Sequence, residues 1–174
     1  MTTAYLAGGW FTPAQRDLQT QAYAQLHHNP TLDWPHCFFP EQHVYRGWTP
    51  ATQPEMFANP EWQLATFATD IRGIDATDCL IALLDPRPAD TDHGALWEMG
   101  YAFASHKPVV LVLPDAPGAD VNLMPAVGAT AVVSLGELAT YDFAGISYRP
   151  YVGGCFNSRF SPHRHYHDNG WRIT

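Results

Sequence analysis

The chain has 174 residues, of which 46% are apolar and 15% charged; this fits one globular domain and excludes a disordered chain. Nine Lys and Arg residues stand against 17 Asp and Glu residues, which gives a formal net charge of −8 at pH 7 with His neutral. A surface of that sign repels nucleic-acid phosphates and anionic lipids, so we expect neither a nucleic-acid nor a membrane-surface partner.

The sequence carries no sign of export or membrane insertion. No apolar run reaches the roughly 18–20 residues that span a bilayer, and the first residues lack the basic start and apolar stretch of a signal peptide. Cys37, Cys79 and Cys155 are odd in number and widely spaced, which favours free thiols over a disulfide framework or a zinc site. We therefore predict a soluble, cytoplasmic, single-domain protein.

Short apolar runs alternate with helical patterns along the chain. In order, they predict a strand over 4–7, a helix over 14–27, a weaker strand over 36–39, a helix over 60–74, a strand over 79–84, a helix over 94–106 and strands over 109–113 and 129–133. The runs over 79–84 and 109–113 are almost wholly apolar, as in parallel strands covered on both faces. This favours an α/β fold over an antiparallel α+β fold: a flavodoxin-like or Rossmann-like open parallel sheet of about five strands, with helices on both faces.

Two segments do not follow this alternation. Residues 29–58 contain five prolines among several aromatic side chains. A loop of that length in a compact domain is usually functional or disordered, and its aromatic content favours an ordered lid. Residues 148–174 are also rich in aromatic residues and His. We interpret them as a C-terminal extension of a domain over 1–147, packing on that domain or on a neighbouring subunit.

The end of the first predicted strand is one candidate binding region, because ligands of open parallel sheets bind beyond the carboxyl ends of the strands. There the chain runs into Gly8-Gly9-Trp10-Phe11, where glycines let a ligand approach the backbone and two aromatic rings offer stacking faces. A tight turn with core aromatics explains the same residues. Neither GxGxxG nor GxxxxGK[ST] occurs, so dinucleotide and P-loop sites lack their usual signature.

Glu98 is the strongest candidate for chemistry. It lies early in the most apolar predicted helix, between Trp97 and Met99. The helix dipole favours its ionised form and apolar neighbours oppose it, and an ionised, poorly hydrated carboxylate can act as a nucleophile. A solvent-facing glutamate is the simpler alternative. With Asp70 and Asp92 it would form a group of carboxylates suited to glycosyl chemistry.

Two other chemistries have weaker support. His163, His165 and His167 alternate and could bind a transition metal, but a solvated tail explains them better without a fourth ligand. Catalysis by a Ser-His-Asp triad lacks local support because no GxSxG motif is present. We therefore predict no metal site.

Four blocks of sequence occur in a recognisable order. They are YLAGGWF at 5–11, TDIRGI at 69–74, DHGALWEMGYA at 92–102 and VNLM at 121–124. Together they resemble the nucleoside 2-deoxyribosyltransferases over roughly residues 4–128. A glutamate in the E-x-G-Y-A block is the nucleophile of that family, which implies Glu98 here.

The resemblance also implies roles for other residues. Tyr5 would hold the Glu98 carboxylate in place, and Asp70 and Asp92 would contact the nucleobase and the sugar. The implied substrate-binding residues are Gly9, Trp10, Phe11, Gln42, Trp62, Asn122 and Met124. Among these, the aromatic side chains would line the base pocket and Gln42 is the nearest counterpart of a base-contacting glutamine. Asn122 and Met124 would reach the site of a neighbouring subunit.

The implied activity is transfer of 2-deoxyribose between nucleobases by a ping-pong route through a deoxyribosyl-Glu98 ester. It needs no metal or other cofactor, and its partners would be 2′-deoxynucleosides, free nucleobases and further copies of the chain, as a hexamer built from dimers. Two alternatives remain open. One is an N-glycosidase that uses Glu98 with water as acceptor, with Arg87 as the main candidate for a phosphate contact; the other is a non-catalytic nucleotide-binding sensor domain.

Overall fold

The computed structural model describes residues 1–85, 91–114 and 121–155. Its centre is a single parallel sheet whose strands are ordered as in the chain: β1 (Ala4–Ala7), β2 (Cys79–Leu83), β3 (Val109–Leu113) and β4 (Ala131–Ser134). The helices are α1 (Pro13–Leu26), α2 (Pro60–Ala76), α3 (His93–Ala104) and α4 (Leu123–Gly128). The predicted α/β fold with a parallel sheet is confirmed.

The described part of the sheet has four strands where the sequence predicted about five. Residues 36–39 form only one parallel bridge, between Phe38 and Tyr5 at the edge of β1, flanked by two backbone hydrogen bonds of 2.8 and 2.9 Å. Pro35 and Pro40 bracket this stretch. Proline has no N–H to donate, which limits the pairing to a single rung.

Local sequence explains most helix boundaries. The side chain of Thr12 accepts a hydrogen bond from the Gln15 N–H and Pro13 occupies the first helical position, so α1 begins one residue before its predicted start. In α4, which the sequence analysis did not predict, six residues include Pro125, and such a short segment shows no helical periodicity.

The two faces of the sheet carry separate apolar layers. On one face, Leu6 of β1 and Ile81 of β2 pack with α1. On the other, Tyr5 packs with Met99 and other side chains of α3. Because successive strand residues point to opposite faces, the alternation along β1 directs the Tyr5 side chain towards α3. This orientation positions the site described below.

The two unusual segments are partly described. Within 29–58, four short 3₁₀ turns are joined by a chain whose Leu32, Phe39 and Met56 side chains are buried. In the predicted extension, Arg149 makes a parallel bridge with Ala131 of β4. The rest of that extension, 156–174 with the three alternating histidines, lies outside the described residues, as does Arg87.

Among the residues described, no helix combines the length and the apolar character needed to cross a bilayer.

Candidate active site

Tyr5 and Glu98 meet between the sheet and α3. The ring of Tyr5, in the middle of β1, is fully buried, and its hydroxyl donates a hydrogen bond of 2.7 Å to Oε1 of Glu98. Glu98 is the sixth residue of α3, on the helix whose Ala95 and Met99 pack on the sheet. The hydrogen bond therefore joins side chains that are 93 positions apart in sequence.

The surroundings of Glu98 oppose its ionisation. Burial raises the pKa of its carboxyl to about 8, and the negative charges of Asp70 and Asp92 act in the same direction. The hydrogen bond from Tyr5 acts the other way, since it stabilises the ionised form. Burial and the nearby Glu98 raise the pKa of Tyr5 far above its ordinary value, so the phenol remains a hydrogen-bond donor.

Asp70 and Asp92 approach Glu98 from different elements. Asp70 lies on α2, and burial raises its pKa to about 6. Asp92 is the N-cap of α3, where its carboxylate oxygens accept hydrogen bonds from the N–H groups of Gly94 (3.0 Å) and Ala95 (3.4 Å). The structure therefore gives Asp92 a role in starting the helix that carries Glu98.

A cavity of about 410 Å³ lies between α2 and α3, within the size range of small-molecule sites. It brings together three of the predicted site residues, Trp62, Asp70 and Glu98. Its other lining residues are Gln63, Thr66, Phe67, Ile71, Gly94 and Trp97. Carboxyl groups from two helices thus share a pocket that is also lined by the aromatic rings of Trp62, Phe67 and Trp97.

Thr66 is a lining residue that the sequence analysis missed. Trp62, Thr66 and Asp70 follow at intervals of four residues, so they share one face of α2. The indole nitrogen of Trp62 and the hydroxyl of Thr66 are buried and have no hydrogen-bond partner within the described part of the chain. The four-residue spacing on a predicted helix is the signal that would have identified Thr66.

A string of aromatic rings connects the end of β1 with the cavity. Trp10 stacks on Phe11 with 4.8 Å between ring centroids, Phe11 contacts Phe57 edge-on at 6.1 Å, and Phe57 contacts Trp62 at 5.3 Å. Gly9 precedes this string, and a Cβ atom there would lie 2.5 Å from the end of the Gln15 side chain, so a larger residue would displace that side chain. Phe57 was not among the predicted site residues.

Of the seven predicted binding residues, only Trp62 lines the cavity, and three others lie at exposed positions outside the aromatic string as well. Gln42 is exposed at the end of the 3₁₀ turn over 40–42. Asn122 is exposed and caps α4, where its side chain accepts a hydrogen bond from the Met124 N–H at 3.0 Å. The Met124 side chain is 76% exposed. Within this chain they face solvent.

Known proteins of one family resemble this chain in both sequence and structure. A family model described as nucleoside 2-deoxyribosyltransferase matches residues 4–138. A nucleoside deoxyribosyltransferase of Lactobacillus johnsonii is 35% identical over 149 residues, which cover 85% of this chain and 99% of that protein. One of Lactobacillus leichmannii is 30% identical over 155 residues, covering 88% and 98%. A solved 2-deoxyribosyltransferase structure from Bacillus psychrosaccharolyticus has a TM-score of 0.69 at 26% identity, covering 86% of this chain and 99% of that one.

Proposed function

Since this chain belongs to the nucleoside 2-deoxyribosyltransferase family, we propose that it exchanges nucleobases on 2-deoxyribose by a ping-pong route with Glu98 as the nucleophile. Transfer of deoxyribose is the activity of the family, whose members act on deoxynucleosides and nucleobases. The finer assignment rests on one observation: the Tyr5 phenol holds Glu98 at 2.7 Å in the wall of a cavity of about 410 Å³.

The proposed reaction has two displacements. In the first, the ionised Glu98 carboxylate attacks C1′ of a 2′-deoxynucleoside, the C1′–N bond breaks, and its electron pair leaves with the base, which takes up a proton. In the second, a nitrogen of another base attacks C1′ of the ester, the C1′–O bond breaks to return the carboxylate, and the N–H proton of the incoming base returns to the group that protonated the first base. Two inversions leave the configuration at C1′ unchanged, as in retaining glycosidases.

The surroundings of Glu98 support this role. The hydrogen bond from Tyr5 restricts the rotation of the carboxylate, which lowers the entropy lost on the way to the transition state. Burial strips water from the carboxylate and makes its ionised form more reactive. A 2′-hydroxyl would withdraw electrons from the cation that develops at C1′, which favours a sugar lacking it.

We assign the proton on the leaving base to Asp70. With its pKa raised to about 6, this carboxyl still carries a proton in a fraction of molecules near neutral pH, as a general acid requires. We assign the sugar contact to Asp92, which also caps α3. The base would lie against the ring faces of Trp10, Phe11 and Trp62, which belong to the aromatic string that follows Gly9. Gln42 would offer the base a polar edge.

We further propose that the active form is a homo-oligomer, a hexamer built from dimers, in which Asn122 and Met124 complete a neighbouring site. Apolar side chains of α4 support this: Leu123, Met124 and Val127 are 55%, 76% and 63% exposed. Contiguous exposed apolar side chains are typical of protein–protein contacts.

The test is base exchange followed by mass spectrometry. We expect the protein to convert deoxyinosine and adenine into deoxyadenosine, and quenched protein incubated with deoxyinosine alone to gain the mass of one deoxyribosyl group. Glu98→Gln keeps the shape of the side chain but not its charge. It should abolish the adduct and lower the exchange rate by roughly 10³-fold or more. Glu55→Gln, at an exposed position, is the matched control.

Two other outcomes would contradict the proposal. Hypoxanthine release that is indifferent to adenine indicates an N-glycosidase. Binding of deoxyinosine without turnover, equal in the wild type and in Glu98→Gln, indicates a sensor domain.

A further inference from the structure

Tyr5 is held from a second side, away from Glu98. The ring of Phe38 lies nearly parallel to the Tyr5 ring, with 5.3 Å between centroids and an interplanar angle of 10°. A third ring, that of His43, stacks on Phe38 at 4.1 Å and 11°. The catalytic candidate Tyr5 therefore ends a column of three stacked rings.

The backbone of Phe38 is tied to β1 on both sides of Tyr5. Its N–H donates to the carbonyl of Ala4 at 2.8 Å, and its carbonyl accepts from the N–H of Leu6 at 2.9 Å. These bonds form the only rung between β1 and residues 36–39 within the described structure. Phe38 thus has its ring and its backbone both fixed against Tyr5.

Gly73 of α2 leaves the space that the Phe38 ring occupies. A Cβ atom at position 73 would lie 2.7 Å from three atoms of that ring, closer than non-bonded carbon atoms approach. Gly73 is buried, so the helix offers no free space beside it. Any side chain there would push Phe38 towards another position, and Phe38 in turn contacts Tyr5.

We propose that Phe38 is a positioning residue for the transfer reaction: seated against Gly73, it fixes the plane of the Tyr5 ring and thereby the direction of the Glu98 carboxylate. This inference rests on the proposed function of Glu98. Phe38 does not line the cavity, so it acts through Tyr5 rather than on the substrate. Phe38 also connects Tyr5 to the segment that carries Gln42, which lies four residues further along the chain.

A double-mutant cycle tests the link. Phe38→Leu keeps an apolar side chain but removes the flat ring, and it should lower kcat by roughly 10–100-fold while KM changes little, since small misplacements of reacting groups cost that much. In a Tyr5→Phe background, which lacks the hydroxyl, the same change should lower kcat by less than about twofold. Phe38→Met has a longer, more adaptable side chain that can fill the space of the ring, and it replaces Phe38→Leu in the cycle if the latter fails to fold.

Two matched controls separate positioning from stability. The ring of Phe39 packs on Tyr23 and Trp34, on the other face of the sheet. Phe39→Leu should therefore lower stability and leave kcat unchanged. Gly73→Ala should act like Phe38→Leu, whereas Gly136→Ala, where a Cβ atom meets nothing within 4 Å, should have no effect.

A titration tests the link without turnover. The Tyr5 hydrogen bond lowers the pKa of Glu98, so carbon-13 chemical shifts of the Glu98 carboxyl should show a higher pKa in Phe38→Leu. The pKa of Glu98 in the double variant should not exceed its pKa in Tyr5→Phe alone. An unchanged Glu98 titration in Phe38→Leu, or kcat losses that multiply fully in the double variant, would overturn the inference. A failed proposed function has a different signature: wild-type protein without a deoxyribosyl adduct, whatever the titration shows.

Discussion

At the scale of single residues, burial and the charges of Asp70 and Asp92 oppose the ionisation of Glu98, and the hydrogen bond from Tyr5 favours it. The first displacement needs ionised Glu98 and protonated Asp70, whose pKa values are raised to about 8 and about 6, so kcat/KM should be nearly level between these pH values and fall on either side. Tyr5→Phe removes the hydrogen bond that stabilises the ionised form, which raises the pKa further. The carbon-13 titration of the Glu98 carboxyl should therefore move to higher pH. A shift to lower pH would contradict the assignment, and Tyr141→Phe, on the other face of the sheet, is the control.

Asp70 should have the opposite effect on the same titration. Its negative charge raises the pKa of Glu98, so Asp70→Asn should lower that pKa and move the carbon-13 titration of the Glu98 carboxyl to lower pH. The variant also lacks the proposed proton donor, and kcat should fall by roughly 10²-fold or more. Asp75 lies on the same helix and accepts a hydrogen bond from the Tyr101 hydroxyl. Asp75→Asn should therefore change neither the pKa of Glu98 nor kcat. An unchanged Glu98 titration in Asp70→Asn would exclude electrostatic coupling between the two carboxyl groups.

At the scale of elements, Asp92 both caps the start of α3 and is proposed to contact the sugar. Asp92 caps the helix through two backbone N–H groups. Asp92→Ala should lower the free energy of unfolding by about 1 kcal/mol, whereas Asp92→Asn, which can still cap, should cost little. Urea unfolding measures both values. Asn59→Ala, which removes the cap of α2, should lose a similar amount. A stable Asp92→Ala would exclude the capping role.

The same pair of variants separates the two roles proposed for Asp92. If its carboxylate also contacts the sugar, Asp92→Asn should lower kcat/KM for deoxynucleosides although it preserves the cap. If capping were its only role, kcat/KM should follow stability and fall only in Asp92→Ala.

At the scale of the whole molecule, the proposed oligomer predicts active sites shared between subunits. Glu98→Gln lacks the nucleophile, and Asn122→Ala lacks the residue proposed to reach the neighbour's site, so each alone should be inactive. After denaturation and joint refolding, mixed oligomers should regain base-exchange activity, because some sites combine an intact Glu98 with an intact Asn122 from the neighbour. A mixture of Glu98→Gln with Tyr5→Phe should gain no activity beyond that of its Tyr5→Phe subunits, because both residues belong to the same subunit's site.

The absence of recovery from the first mixture, with subunit exchange verified by native mass spectrometry, would exclude a shared site.

The sequence by itself determined the strands, the main helices and the family. The apolar runs at 79–84 and 109–113 mark buried parallel strands because burial on both faces leaves a local pattern in the residues. The ordered blocks around Glu98 identify the family because they lie in short stretches of sequence. Such features need no knowledge of distant contacts. The weaker pattern at 36–39 wrongly predicted a strand. An apolar stretch does not show that the prolines on either side limit its backbone pairing to one bridge.

Only the tertiary structure decided how the candidate site is assembled. The Tyr5–Glu98 hydrogen bond spans 93 positions, and Phe57 joins the site through the packing of the segment that precedes α2. The raised pKa of Glu98 depends on burial, which arises when the helices pack on the sheet. The same holds for the contact between Gly73 and Phe38. Distances and desolvation are properties of the packed chain, and no local pattern of residues encodes them.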